Sequence, residues 1–371
     1  MALSTREDLL APAISQPNRK VFELMRERIH SQAAPMPPTS SRHLTAQELD
    51  VLDLQLTAEL ADMAEGCEEP PVDREMWPDP DPEEIEQCYP FRAHSADVVE
   101  PKGPYRVPSG EVYACFVFDI PWLGEAQALA IRSHNSAVVH HWLLSDEVDN
   151  IPAGTVIAAP SDCGVGVNKM YAVSAASMQS MLNMPPTVGL QMPRAGNGLR
   201  MMLAVHYFNP GSPVDDTSGA EVCIARKPQP NSAGVHIVGA QDLMLPPHQM
   251  TDITTTCTPT YQGDIHIVRT LPHMHRNGVH FDTTVLRADG TRSPLINLPF
   301  DFSNQLSYQS DAVLRPGDRL FTTCEYQNDS DRTIRGGERA DDEMCVNFIT
   351  AWPVGSLVTG RNRSGADACS D

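Results

Sequence analysis

The sequence predicts a mainly β protein: two antiparallel β-sandwich (jelly-roll-like) domains in tandem, preceded by a short helical N-terminal segment. Three observations predict it. First, Pro 32 and Gly 23 among 371 residues are too many breakers for a long-helix protein and suit short strands joined by turns. Second, from about residue 105 onward, segments rich in Val, Ile, Phe, Tyr and Thr alternate with turn residues. Third, that region runs to roughly 255 residues, too long for one sandwich of about 100 residues, and fits two.

Taken in order, residues 1–66 read as helical. One amphipathic stretch near 17–31 sets Val21, Phe22, Met25 and Ile29 on one face. Another begins at a capping box, Thr45-Ala-Gln-Glu48, and continues through Leu49, Leu52, Leu56 and Leu60. Ala34-Pro-Met-Pro-Pro38 between them must be extended. Residues 67–104 read as an acidic, Pro-rich linker, since 68–88 alone carry nine Asp/Glu and five Pro. The first sandwich is expected over 105–228 and the second over 229–371. Expected strands are Glu111–Ile120, Ala137–Leu144, Arg200–Phe208, Glu221–Arg226, Asp264–Leu271, Phe281–Leu286, Arg319–Tyr326 and Cys345–Trp352.

Composition narrows the function classes. Lys+Arg 27 against Asp+Glu 48 gives a net charge of −21. So acidic a surface repels phosphate backbones, which argues against nucleic acid as a partner. No apolar run reaches the ~18 residues that a membrane-crossing helix needs, so no membrane span is expected. Nine cysteines with no Cys-x-x-Cys pair point to a disulfide framework and an oxidising compartment, periplasmic or secreted. The opening Met-Ala-Leu-Ser-Thr-Arg-Glu-Asp has no apolar signal core, so a leader removed ahead of this sequence is expected.

Thirteen histidines are present, and five fall in three local motifs of the β region: His140-His141, His206 in Val-His-Tyr-Phe-Asn-Pro, and His273-Met-His275. Two His at i and i+2 on a strand share a face and can share one ion. Strand neighbours such as His140 and His141 face opposite ways, so both reach one metal only where the strand ends or twists. Any one of these motifs alone is more often a hydrogen-bonded structural histidine than a ligand. Their co-occurrence carries the weight.

With Asp342-Glu-Met-Cys-Val-Asn-Phe348, these motifs stand in an order that resembles the copper type II, ascorbate-dependent monooxygenases. Pro316-Gly-Asp-Arg-Leu-Phe-Thr-Thr-Cys324 and Gly336-Gly337 strengthen the likeness, which covers residues 105–369, about 70% of the chain. The resemblance implies two copper ions, one per sandwich, facing each other across a solvent-filled cleft. It implies His140, His141 and His206 at the first centre, and His273, His275 and Met344 at the second. A thioether favours Cu(I), which fits Met344 to the centre that engages dioxygen, while the first centre relays an electron. His266 is implied to orient the second site. The activity implied is hydroxylation of an activated C–H bond of a small organic substrate. It uses O2 and two single electrons from ascorbate or another one-electron donor such as a cytochrome. A non-catalytic copper-binding or electron-transfer protein on the same fold is the alternative. A zinc hydrolase is a further one, although it gives Met344 no use.

The resemblance also implies disulfides Cys115–Cys163, Cys324–Cys345 and Cys257–Cys369. Cys67–Cys88 would close the acidic linker and leave Cys223 as a buried thiol, with Cys88–Cys223 as the other arrangement. The peptide-hydroxylating branch holds a substrate carboxylate with an Arg and a Tyr at the positions of Leu271 and Phe348. Leu271 and Phe348 therefore mark a substrate pocket not built for a peptide C-terminus. Met36, in Ala34-Pro-Met-Pro-Pro38, resembles the axial haem ligand of a cytochrome c module. No Cys-x-x-Cys-His accompanies it, so haem is expected only if a missing N-terminal part carries the attachment site. His134, His236, His248 and His280 match no ligand position, and His30, His43 and His94 are expected at the surface.

Overall fold

A computed structural model describes residues 12–13, 16–29, 77–96 and 103–369, apart from 148, 160–162, 164–166, 176–180, 197, 241, 303–304, 338–340 and 362–366. The chain divides into two compact units, 1–73 and 74–371.

In the first unit a short strand, Gln16–Lys20, precedes a nine-residue helix, Val21–Ile29. Lys20 N–H donates to the Glu23 carboxylate at 3.0 Å, which satisfies one of the amides left open at the helix start. The helix expected over 17–31 is therefore shorter at its front, where Pro17 and Asn18 favour extended backbone. The Thr45 helix, Met36, His30, His43 and Cys67 lie outside the described residues.

The second unit is built almost entirely of strands, and the mainly β reading holds. An outer sheet in the N-terminal half orders its strands Val156–Ala159, Gly110–Phe118, Arg200–Asn209, Val139–Glu147 and Val167–Ala175. An outer sheet in the C-terminal half orders Gln249–Cys257, Arg319–Asn328, Gly278–Leu286 and Arg292–Pro299. Both pack against one long sheet. From one edge, it runs through Ile265–His273, Cys345–Trp352, Asn231–Ala240, Val188–Met192, Ala126–His134, Gly219–Ala225 and Ile85–Arg92. Each half has its own apolar core between its layers. Phe91, Phe116, Trp142, Leu144, Leu190 and Leu203 fill the first; Val238, Ile265, Ile267, Leu320, Ile349 and Leu357 fill the second.

Four findings differ from the sequence reading. The halves are not independent tandem sandwiches. Val188–Leu190 pairs in parallel with Asn231–Ala233, which fuses one layer of each half into a continuous sheet. The acidic linker ends earlier than expected, because Ile85–Arg92 is an edge strand beside Gly219–Ala225. That ladder sets Cys88 directly opposite Cys223, and the two form a disulfide. The expected Cys67–Cys88 bond is thus corrected, because the ladder sets Cys223 within bonding reach of Cys88. The other three disulfides, Cys115–Cys163, Cys257–Cys369 and Cys324–Cys345, are present as expected. His94 is also corrected from surface to interior. It is 7% exposed and packs edge-on against Phe116 and Phe118.

Candidate metal centre

The first histidine set sits on the N-terminal outer sheet. His206, on Arg200–Asn209, lies between His141 on one neighbouring strand and Tyr113 on the other. Cross-strand partners share a face, so His141 and His206 converge. The ladder then slips: His206 pairs with His141 but Tyr207 pairs with Val139, which leaves His140 as the extra residue of a β-bulge. The bulge turns His140 toward the face of its neighbour. Ring centroids lie 5.2 Å apart for His140–His141, 5.0 Å for His140–His206 and 4.9 Å for His141–His206. One ring nitrogen from each falls within 4.8 Å of the others.

Tautomers follow from the partners. His206 Nε2 is 2.7 Å from Glu111 Oε1, and a carboxylate only accepts, so Nε2 carries the proton and Nδ1 offers a lone pair. That Nδ1 is buried and accepts no hydrogen bond. The Nδ1 atoms of His140 and His141 approach to 3.0 Å. The converging ring nitrogens thus define a site that suits a metal ion better than it suits protons. Burial is the main reason that protonation is disfavoured. His140 and His206 are each lowered to about 4, with the His206 and Arg276 charges adding for the former and Arg276 for the latter. His141 is lowered further by the same burial and the surrounding imidazoles.

The second set lies where Ile265–His273 leaves the long sheet. His273 and His275 have ring centroids 5.1 Å apart and are 8% and 3% exposed. Gln305 accepts from His273 Nδ1 at 2.6 Å, and the Asp342 carbonyl accepts from His275 Nδ1 at 3.0 Å. With Nδ1 anchored on each ring, Nε2 is the nitrogen that would serve a metal there. Burial, reinforced by His275, takes the His273 pKa to about 3. Buried Glu343 clamps the backbone here. Its carboxylate accepts from His275 N–H at 2.8 Å, Asn277 N–H at 2.7 Å, Asn277 Nδ2 at 2.9 Å and Met344 N–H at 3.3 Å. Burial raises the Glu343 pKa, and those donors oppose the rise. Met344 is buried in an apolar cluster with Leu271, Phe348, Ile237 and Val346. Leu271 and Phe348 are direct cross-strand partners, and the Phe348 ring lies 5.6 Å from His273. The Cys324–Cys345 disulfide fixes the residue after Met344.

His266 takes a different place from the one expected. It stacks on Trp352 with centroids 3.7 Å apart, at the opposite end of its strand from His273. Gln305 and the Asp342 carbonyl do the orienting instead. Gln305 sits in an irregular loop with no motif to mark it. The separation of the centres also differs. His141 and His273 rings are 6.3 Å apart edge to face, closer than the expected separation across a cleft. The fused sheet joins the two halves, and the Phe302 ring lies 4.7 Å from His140 and 6.4 Å from His275.

Fold and donor chemistry define a class: mainly β proteins whose clustered imidazoles suit a d-block metal. Residues 231–369 match the family described as copper type II ascorbate-dependent monooxygenase, C-terminal domain. The chain is 25% identical over 280 residues to dopamine beta-hydroxylase of Rattus norvegicus, covering 68% of this chain and 45% of that protein. It is 25% identical over 288 residues to tyramine beta-hydroxylase of Caenorhabditis briggsae, covering 70% and 49%. MOXD1 homolog 1 of Drosophila melanogaster is 28% identical over 185 residues, covering 46% and 26%. The chain thus spans about half the length, or less, of these relatives. Residues 231–369 thus carry the likeness to the copper type II, ascorbate-dependent monooxygenase C-terminal domain, and the wider chain is similar to these hydroxylases.

Proposed function

We propose that this protein is a copper monooxygenase that hydroxylates an activated C–H bond of a small organic substrate, with O2 as oxidant and two electrons delivered singly by ascorbate or a cytochrome. The reading rests above all on the converging ring nitrogens of His140, His141 and His206, beside the His273 and His275 rings. The first set would hold one copper and the second set another. Copper bound there supplies one-electron redox chemistry and a coordination position for dioxygen.

The chain's own residues supply placement. Gln305 and the Asp342 carbonyl hold the His273 and His275 rings, and Glu343 holds the backbone on both sides of the second set. The shared edge-to-face contact of His141 and His273 gives a short path for an electron between sets. Leu271, Phe348, Ile237 and Met344 line the second set with apolar surface, so the substrate presents an apolar body there. No guanidinium stands at Leu271 to take a carboxylate, which disfavours a peptide C-terminus as substrate. Four disulfides match an oxidising compartment. We place the protein in the periplasm or outside the cell.

The test is metal analysis followed by turnover. Copper-loaded protein is incubated with reductant, labelled dioxygen and a panel of small substrates, and products are read by mass spectrometry. Two coppers per chain and one labelled oxygen in product are expected. Copper bound with no oxygen consumed on any substrate favours the electron-transfer alternative, and zinc in place of copper overturns the reading.

A further inference from the structure

The His206 ring is held more firmly than a ligand motif alone requires. Tyr113, its cross-strand partner, stacks on it with centroids 4.2 Å apart and planes 6° apart. Glu111 lies two residues before Tyr113 and so projects from the same face of the same strand. Its Oε1 takes the Nε2 proton at 2.7 Å. Stacking fixes the ring plane but leaves the tautomer open, since either nitrogen could carry the proton. Only the carboxylate decides that, and its choice leaves the buried Nδ1 without a hydrogen-bond partner, on a ring that has a nitrogen within 4.8 Å of one from each of His140 and His141. The other oxygen, Oε2, faces the guanidinium of Arg276 at 3.9 Å, and Arg276 follows His275 directly in sequence. Glu111 therefore touches the first histidine set through one oxygen and the loop of the second through the other.

We propose that Glu111 is a positioning residue of the first set, fixing His206 in the one tautomer that presents Nδ1 to the metal. The inference rests on the copper reading above and deepens it. A carboxylate behind a metal-bound imidazole raises the basicity of the ligand and locks its orientation. Loss of such a partner typically weakens metal binding by about 10- to 100-fold.

The experiment compares wild type with Glu111→Leu, Glu111→Gln and His206→Ala. Copper(II) uptake is titrated on metal-free protein, the EPR hyperfine pattern is recorded, and nitrogen-15 NMR of the metal-free histidines reads the His206 tautomer. His206→Ala should lose one equivalent of copper. Glu111→Leu should weaken that same equivalent by about 10- to 100-fold, change its hyperfine pattern and release His206 into a mixture of tautomers. Glu111→Gln, which keeps a carbonyl acceptor, should restore the Nε2–H tautomer and most of the affinity. It also covers the case in which the Leu variant fails to fold. Wild-type affinity, spectrum and tautomer in Glu111→Leu, while His206→Ala loses its copper, would overturn the proposal and leave the copper reading standing. Unchanged uptake in His206→Ala would instead remove the copper reading, and the proposal with it.

Discussion

Single side chains decide whether each histidine set can act as a ligand group. Met344 shows this most directly. It is 5% exposed and packed among Leu271, Phe348 and Val346, so an isosteric apolar residue fits its space. Met344→Ile should leave the midpoint of thermal unfolding within a few degrees of wild type. It should also cut product formation at least about 100-fold, because a branched alkyl group has no lone pair to offer a soft metal. Product assay and circular dichroism on one preparation check both halves; wild-type turnover would remove the role given to Met344. Some residues at this scale were readable in the sequence. His140, His141, His206, His273 and His275 stand in recognisable short motifs, and the structure brings each trio or pair together. Gln305, Glu111 and Tyr113 were not readable. Glutamine, glutamate and tyrosine carry no spacing signal, and they reach the site only because strands or loops distant in sequence come to lie beside it.

Strands and their registers turn those residues into geometry. The bulge at His140 answers how two adjacent residues share one face, which no regular strand permits. Close strand approach matters equally behind the second set. Gly239 adopts φ 150° opposite Val346, and a Cβ there would collide with the Cys345 carbonyl oxygen. Gly239→Ala should push Asn231–Ala240 away from Cys345–Trp352. The expected cost is at least about 2 kcal/mol in denaturant unfolding, with weaker copper retention at the second set. A stability within about 0.5 kcal/mol of wild type would show that the ladder accommodates the methyl group. The strands expected from the sequence are the ones rich in β-branched and aromatic residues, such as Arg200–Asn209 and Cys345–Trp352. Ala126–His134 was missed because its Ala-Gln-Ala-Leu-Ala composition favours a helix, and its strand state comes from pairing on both sides. Gln249–Cys257 was missed because its Gln, Asp and four Thr dominate a largely exposed edge strand, which leaves little apolar signal.

Across the molecule, gathering so many neutral imidazoles makes folding depend on pH. His140 and His206 are lowered to about 4 and His273 to about 3, against an ordinary value near 6.5. The unfolded chain therefore binds more protons than the folded one between about pH 6.5 and 4, so stability rises with pH across that window and is lost as pH falls through it. The slope approaches about 1.4 kcal/mol per pH unit for each such group, less for the half-buried His140. Thermal unfolding of metal-free protein from pH 7.5 to 4 should show a steadily falling midpoint. Copper loading should raise that midpoint most near neutral pH, where no proton competes for Nδ1 and Nε2. A flat midpoint across the window would mean that the imidazoles are solvated in the folded state.

Local composition and short spacings determined the β class and the histidine motifs, and the resemblance to the copper type II monooxygenases implied three of the four disulfides that the structure shows. Only the tertiary structure decided that the two halves share one sheet, that Cys88 bonds Cys223, that His266 belongs to Trp352, and that the two histidine sets touch. Those outcomes are set by which strands become neighbours. Strand partnership depends on the sum of many weak pairings over the whole fold, and no single stretch of residues encodes it.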